Sequence, residues 1–522
     1  MSATTNAPQV YGGDEVGAVV LDAGSFSTRA GYAGEDSPRY VIPSYYGYNE
    51  QKKGDLVEDT ALDYASITYK TNYKRREYTY FGDESIHVPR SQTQIKPIIH
   101  DEIIEDWDAA IEMFDYLFNN LNADIEEQPV FMTEPVWNTK VNKLKSLEVF
   151  LEFFKTPGFY LGKAPSCTAF AAGRPNSLIV DIGHNVTSVT PVLDGMCLSK
   201  NTMKTHYGGG FLDAQLRCSF MQRGIDLIPR FQINSRTFTK YSLEQLQAKQ
   251  KVEPQFQTSS LVPENITESF KEFENQRIYN EMKESLIVVP ETPISDSSKF
   301  DYQSRYFELP NGLQVEFGDE RYNIANSLFE PTNFINFWKK HPEYHHDDDF
   351  DWSTGENGEL DELDINNDYV PLKRGKKKED TAEYSEGGPV ASDGTGTNNN
   401  NKPSNSSAAS KNAKVAGLSS LINKTISALD VDIRQQVAHN IVVTGATSLV
   451  PGLTDRLFKD LGDTNPGLKI RIHASGNTSE RKYQNWIGGS ILSSLGIFHQ
   501  LWVSKQEYEE VGGERLITER FR

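Results

Sequence analysis

The sequence predicts a layered α/β protein, and three observations carry that expectation. Apolar stripes at helical spacing alternate with short continuous apolar runs. The chain is 37% apolar and 24% charged, rich in Tyr and Phe, as globular chains are. A strand–turn–strand unit with an aspartate at its tip occurs twice. At 522 residues there is room for three or four domain-sized units and a large core.

The first of these units is VVLDAGSFSTRAGYAG, residues 19–34. Val19 to Leu21 lead into Asp22, Ala23 to Ser25 turn, and Phe26 to Tyr32 run back. Alone it reads as a tight turn that needs its glycine. Trp107, Ile111, Phe114, Leu117, Phe118 and Leu121 then mark a helix, and PVFMT (129–133) a buried strand. Leu144, Leu147, Phe150, Leu151 and Phe154 mark a second helix, expected to end at Pro157-Gly158. Both stripes are core faces. SLIVDIGHNVTSVTPVLDG (177–195) repeats the first unit: an apolar strand, Asp181, a turn through Ile182 to Asn185, and a Val/Thr strand.

Backbone amides around such turns form a concave anion site, and glycine lets a phosphate come close. Two aspartates facing the same phosphates require a cation between them, and Mg²⁺ is held in that way, through carboxylates, phosphates and its own waters. A third element, NIVVTGATSLVPGL (440–453), runs from a strand through small residues into a helix expected to start near Pro451. Helix starts of this kind bind anions or pack over a nucleoside.

Composition excludes several classes. Cys167, Cys197 and Cys218 are odd in number and form no C-x-x-C pattern, which favours reduced thiols over a disulfide framework or zinc site. MSATTNAPQ has no apolar stretch of the secretory type. The greasiest long run, 487–503, is broken by Ser490, His499 and Gln500 and reads as a packed helix and not a membrane span. The net charge of −20 is mostly local: from Glu343 to Asp368 there is no Lys or Arg. With the KRGKKK run (373–378) and a Gly/Ser/Asn tract, residues from about 341 to 412 are expected to be disordered. His345 and His346 beside three aspartates read as a solvated acidic loop, not a metal site. An acidic body repels phosphates, so specific DNA readout is not expected. KRGKKK reads as a nuclear-import patch.

The order of the three elements resembles the actin family, and so do TEPVWN (133–138), AAGR (171–174), VDIRQQVAHNIVVTGATSLVPGLTDRL and ERKYQNWIGGSILSSLGIFHQLWVSKQEYEE. The resemblance covers nearly everything from Val19 to Phe521 except about 44–82, 230–265 and 338–414. TEPVWN, AAGRPN, VDIGH, NDYVPLKR and the terminal ERFR place it nearest a nuclear branch of actin-related proteins. The resemblance implies an actin-like ATPase fold: two RNase-H-like lobes, in four subdomains, around a central nucleotide cleft. Subdomain 1 would comprise 1–43, 97–171 and 483–522, and subdomain 2 residues 44–96; subdomain 3 would comprise 172–207 and 337–482, and subdomain 4 residues 208–336.

It implies ATP and Mg²⁺ as cofactors. Gly24 and Ser25 would offer amides to the phosphates, and Arg29 stands where the family has a phosphate-reaching Lys. Asp22 and Asp181 would orient hydrated Mg²⁺, and Gly183 would line the second hairpin. Lys283 and Glu284 match purine and ribose contacts, Gly209 lies near the ribose, Gly445 to Ser448 (with Ala446 and Thr447) approach the nucleoside, and Lys482 closes over the base. There are departures. Phe26 replaces a Gly of the first phosphate turn, His184 and Asn185 replace Asp-Gly in the second, and Ala446 replaces a Gly beside the nucleoside. Ala164 and Ser188 stand where actin has the Gln and His that place the attacking water, so ATP would be bound without significant hydrolysis.

Residues 45–80 do not resemble the filament-contact loop, and the insertion follows 334–340 at another filament contact, so polymerisation is not expected. Phe170, Ala171, Leu492, Leu495, Ile497 and Leu501 match a groove between the lobes that takes amphipathic helices, with Gly496 breaking the helix. The implied role is an interaction subunit, paired with nuclear actin on a scaffold helix of a remodelling ATPase or acetyltransferase platform, with histones as a further class of partner. The alternatives are a filament-forming cytoskeletal ATPase and a small-molecule kinase of the same superfamily.

Overall fold

The computed structural model describes residues 17–49, 79–248, 252–294, 302–345, 350, 352, 361–362 and 416–521. Two sheets of the same design organise them. In the first lobe, β1 (Val19–Ala23) is buried on both faces, so four successive side chains are apolar or enclosed. It pairs antiparallel with β2 (Ser27–Tyr32), which pairs antiparallel with β3 (Tyr40–Pro43). On its other edge β1 runs parallel to β4 (Val130–Glu134), and β4 parallel to β5 (Gly158–Lys163). Asp106 caps α1 (Trp107–Leu121), accepting from the Ala109 amide at 3.0 Å, and the Phe114–Leu117–Leu121 face packs on this sheet.

The helix α2 (Lys140–Leu147) continues as a wider turn to Phe153. It ends earlier than the Pro157-Gly158 expected from sequence, because Lys155 adopts a left-handed conformation at φ 55°. Gly158 instead opens β5, with Pro157 just before it. From β5 the chain passes directly into α3 (Ala164–Ala171), which leads to the second lobe.

The second lobe repeats the plan. Antiparallel β6 (Ser177–Ile182), β7 (Thr187–Leu193) and β8 (Met203–Thr205) are followed by β9 (Ile441–Thr444) and β10 (Ile472–His473), parallel to β6 and to each other. In each lobe the spatial order is third, second, first, fourth, fifth. Around the second sheet lie α4 (Gly209–Arg223), α5 (Glu268–Ser285) and α6 (Leu453–Thr464), which begins two residues after Pro451. The lobes have separate apolar cores, one built on Leu21, Phe114 and Phe150, the other on Val180, Phe211 and Leu457.

The lobes are joined beneath the cleft by α3 and α7 (Thr478–Ser494). They cross so closely that a Cβ on Gly488 would stand 1.9 Å from the Cys167 carbonyl oxygen. All three cysteines are free.

The acidic insertion departs from expectation at its start. Disorder from 341 was expected, yet residues 342–344 form a helical turn and the His345 ring stacks on Trp338 at 4.0 Å. Phe350 stacks on His206 at 3.9 Å, Trp352 is buried against Phe211, and 361–362 pair with β8. The cause is the two aromatics set inside the acidic run, whose burial offsets the cost of ordering their neighbours. The KRGKKK run and the Gly/Ser/Asn tract lie outside the described residues, as do residues 50–78 of the expected subdomain 2.

Candidate functional site

The two aspartate hairpins open onto one cleft. In the first, the Gly24 amide bonds the Ser27 carbonyl at 3.2 Å, and the Ser44 hydroxyl donates to the Gly24 carbonyl at 2.5 Å. In the second, the Gly183 amide bonds the Val186 carbonyl at 2.9 Å. The amides of Gly24 and Gly183 therefore close their own turns. The Gly24 amide, expected to face a phosphate, is thus already bonded within its own turn. The Gly183 and His184 carbonyls accept from the Gly209 and Gly210 amides at 3.0 and 2.8 Å, and Thr447 Oγ1 donates to Gly183 at 2.8 Å. Helix α4 thus directs its free N-terminal amides at the second hairpin. Across the cleft floor the Phe26 and His184 rings meet at 5.0 Å.

Carboxylates dominate the floor. Asp22 accepts from Arg29 Nη1 and from Thr133 Oγ1, both at 2.5 Å. The Arg29 guanidinium, expected to fork onto phosphates, is committed to Asp22 and lies over the Tyr483 ring at 5.5 Å. Asp181 accepts from Asn485 Nδ2 at 3.0 Å; burial raises its pKa, that bond opposes the rise, and the charge of Asp22 adds to it. Glu102 is pushed well above the usual carboxylate range by burial and by Asp181, Asp22 and Asp101. Its amide donates to Ser25 Oγ at 3.0 Å, and its Oε1 would be 3.4 Å from a Cβ on Gly183. Burial also acts to raise Asp101, but the His206 hydrogen bond at 2.9 Å, with the charges of His206 and Lys204, holds it below the ordinary value. A floor with more carboxylate than compensating charge fits a divalent cation. Among the described residues no three His, Cys, Asp or Glu side chains converge tightly enough to enclose one, so the fit is to a hydrated ion.

The cleft is a cavity of about 700 Å³. Asp22, Gly24, Ser25, Phe26, Arg29, Asp181, Gly183 and His184 line its floor. Lys283, Glu284, Gly445, Ala446, Thr447 and Lys482 line its far end. Lys482 meets Glu284 at 3.3 Å across the opening, whereas Lys283 is paired with buried Asp213 at 2.7 Å. Three expected residues do not line it. Gly209 is pressed against the second hairpin, where a Cβ would sit 2.9 Å from Thr447 Oγ1; Ser448 is buried and bonds Gly445; and Asn185 lies toward α4, its Oδ1 3.8 Å from a Cβ on Gly210. Gly445, at φ 89°, has no room for a Cβ, which would fall 2.3 Å from the Ile182 carbonyl. Ala164 lines the cleft, and Ser188 lies opposite Asp181 in the β6–β7 pair, so neither position carries an imidazole or carboxamide.

Two lobes of one sheet order, each presenting an aspartate hairpin to a shared cleft, agree with a sequence match over residues 13–522 to the family model described as Actin. The chain belongs to the actin family. It is 43% identical, over the full length of both chains, to a protein named Actin-related protein 4 from Debaryomyces hansenii. It is 40% identical to one of that name from Candida albicans, again over all of both chains. A third, from Saccharomyces cerevisiae, is 37% identical over 98% of this chain and 99% of its own.

As in its family's plan, the lobes meet at one end through α3 and α7, and apolar residues surface there. Helix α7 stops at Ser494; Leu495 is extended, at φ −76° and ψ 130°, and Gly496–Gln500 form a tighter turn. Leu492 and Leu495 pack half-buried on the Val20–Phe131–Trp486 cluster. Ala171 is half-buried, Phe170 and Leu501 are exposed, and Ile497 is 79% exposed. The break after α7 thus turns Ile497 and Leu501 outward, while Leu495 belongs partly to the core.

Sequence reasoning missed Glu102, Asn485 and Tyr483 as cleft residues, and it used Thr133 only as the end of the PVFMT strand and the start of TEPVWN. The only signal for Glu102 was the acidic pair Asp101-Glu102, whose members both take left-handed conformations (φ 49° and 64°) and so swing the second side chain into the cleft.

Proposed function

We propose that this actin-related protein is a nuclear interaction subunit that binds Mg·ATP without significant hydrolysis, and that it joins actin on an amphipathic scaffold helix of a remodelling ATPase or acetyltransferase platform. The observation that carries the reading is the pairing of two complete carboxylate hairpins with Ala164 and Ser188 at the positions flanking them. What supports ATP binding is a cleft with two aspartate hairpins on its floor for a hydrated Mg²⁺ and Lys283 and Lys482 at its far end. Hydrolysis also needs an oriented water: the Ala164 methyl has no hydrogen-bonding atom to place one, and Ser188 is buried and is not among the residues that line the cavity. Mg²⁺, when bound, would neutralise phosphate charge; Asp181 and Glu102, which form no salt bridge among the described residues, would face it. ATP then serves as a ligand of the folded body, stabilising it by binding linkage. The acidic composition supports a basic partner and argues against DNA readout.

Tagged protein purified from nuclei is expected to carry ATP with Mg²⁺ and to bring actin and a helical scaffold subunit with it. Turnover comparable to that of filamentous actin, or a folded preparation free of nucleotide under saturating Mg·ATP, overturns the reading. Ala164→Gln with Ser188→His is the gain-of-function counterpart, expected to raise the rate above its near-zero baseline.

A further inference from the structure

Asp22 and Asp181 face the same cleft but are held differently. Asp22 is paired with the Arg29 guanidinium, whereas Asp181 accepts through Oδ2 from a neutral amide, Asn485 Nδ2 at 3.0 Å. The other oxygen, Asp181 Oδ1, lies against Gly445, where a Cβ would come within 2.6 Å of it. An ionised carboxylate only accepts, so the N–H side of the Asn485 amide must face it and the amide oxygen must point elsewhere. That oxygen accepts from Thr168 Oγ1. A relay of three side chains therefore runs from Thr168 on α3, through Asn485 on α7, to Asp181 at the cleft.

The helix crossing gives the relay its reach and its rigidity. Asparagine and threonine are short, and they meet because the α3 and α7 backbones touch beside them. Gly488, one turn on from Asn485, has no room for a Cβ against the carbonyl of Cys167, the residue before Thr168. Trp486 is fully buried and donates from Nε1 to the Val20 carbonyl of β1 at 3.0 Å, so α7 cannot turn about its axis without breaking a bond to the first lobe. Thr168 is fully buried, and Asn485 lines the cavity. Valine and leucine would fill the same volumes with no polar group to satisfy, so the hydroxyl and the amide are accounted for by what they bond.

We propose that Asn485 is a positioning residue for the cation that Asp181 faces: it fixes the rotation of the carboxylate from a neutral donor, and Thr168 fixes Asn485 in turn. This rests on the nucleotide reading above. A cationic donor would cancel part of the charge that the ion needs, as Arg29 does at Asp22, and an amide leaves that charge in place. Hydrogen-bond partners behind a metal-facing carboxylate set its orientation, and losing one costs about 10- to 100-fold in metal affinity.

The test titrates Mg²⁺ into the full chain at fixed mant-ATP and reads the Mg²⁺ concentration that gives half-maximal binding, beside the Tm of the protein free of metal and nucleotide. Asn485→Leu is expected to raise that concentration about tenfold or more. Thr168→Val keeps the volume and loses the hydroxyl, and is expected to raise it by a smaller factor. Thr168→Ser keeps the hydroxyl and loses a methyl, and is expected to match the wild type in the titration. A packing role predicts the reverse order for the two Thr168 variants, in the titration as in the Tm. An unchanged half-maximal concentration in Asn485→Leu, or a shift in Thr168→Ser as large as that in Thr168→Val, overturns the positioning role and leaves the nucleotide reading standing. A wild-type protein that takes up no mant-ATP at any Mg²⁺ concentration overturns that reading and the positioning role with it.

Discussion

Asp181 and His184 sit three residues apart on one hairpin and respond oppositely to charge. Asp181 is held by Asn485 yet raised by burial, so a cation above it relieves the strain of a buried negative group. Asp181→Ala is expected to lower nucleotide occupancy and the Tm together. At a ligand excess of a hundredfold over Kd the bound form gains about 2.7 kcal/mol, and that gain is what the variant loses. Mass spectrometry of the native protein and a melting curve with and without Mg·ATP check it. His184 is pushed down to about 3 by burial and by Lys283, whereas in the unfolded chain it titrates near 6.5. Its folded pKa is depressed, so the stability it contributes is present above about pH 6.5 and is lost as pH falls toward 3, by at most about 1.4 kcal/mol per unit. Urea midpoints from pH 7 to 5 should decline in the wild type and decline less in His184→Gln.

Elements were legible in the sequence where one residue type repeats at a fixed spacing. The α1 stripe, the buried strand at 130–134 and both aspartate hairpins stand where periodicity and turn chemistry put them. The site was legible along the hairpins, because the residues that shape a turn are local to it. It was not legible where distant segments converge: Glu102 enters through an unusual backbone pair, and Asn485 arrives from α7, roughly three hundred residues after Asp181 as the chain runs. Phe350 and Trp352 were hidden for a different reason, since the acidic charge around them outweighed two aromatics in composition. Crossings of helices are equally invisible. Gly488 is needed because α7 lies against the α3 backbone at Cys167, so Gly488→Ala is expected to destabilise by about 1–3 kcal/mol or more through overpacking, although alanine is the better helix former. A loss of urea midpoint measures it; an unchanged or raised midpoint would mean that the helices can separate at no cost.

At the scale of the whole molecule, the apolar surface beside α7 is where the proposed scaffold helix would dock. Ile497 is almost wholly exposed and Leu495 is half in the core, so the two should behave differently. Ile497→Asp is expected to weaken binding of an amphipathic scaffold helix by more than about 2 kcal/mol if it anchors there, with the Tm unchanged. Leu495→Asp should lower binding and the Tm together. Isothermal titration against the scaffold helix, beside melting curves, separates the two; full binding by Ile497→Asp moves the docking surface elsewhere. The anchoring of the insertion has a consequence of another kind. The insertion is anchored on one side by Trp352 and by the pairing of 361–362 with β8, and on the other by Leu418, which shares a core with Trp352. The cost of closing a flexible loop rises only with the logarithm of its length, about 0.6 kcal/mol for each doubling, so an insert placed between two such anchors adds little to the cost of folding. Residues 363–415 are therefore a place where a fluorescent domain could be spliced into the intact subunit, reporting its position in an assembly while both lobes fold as before.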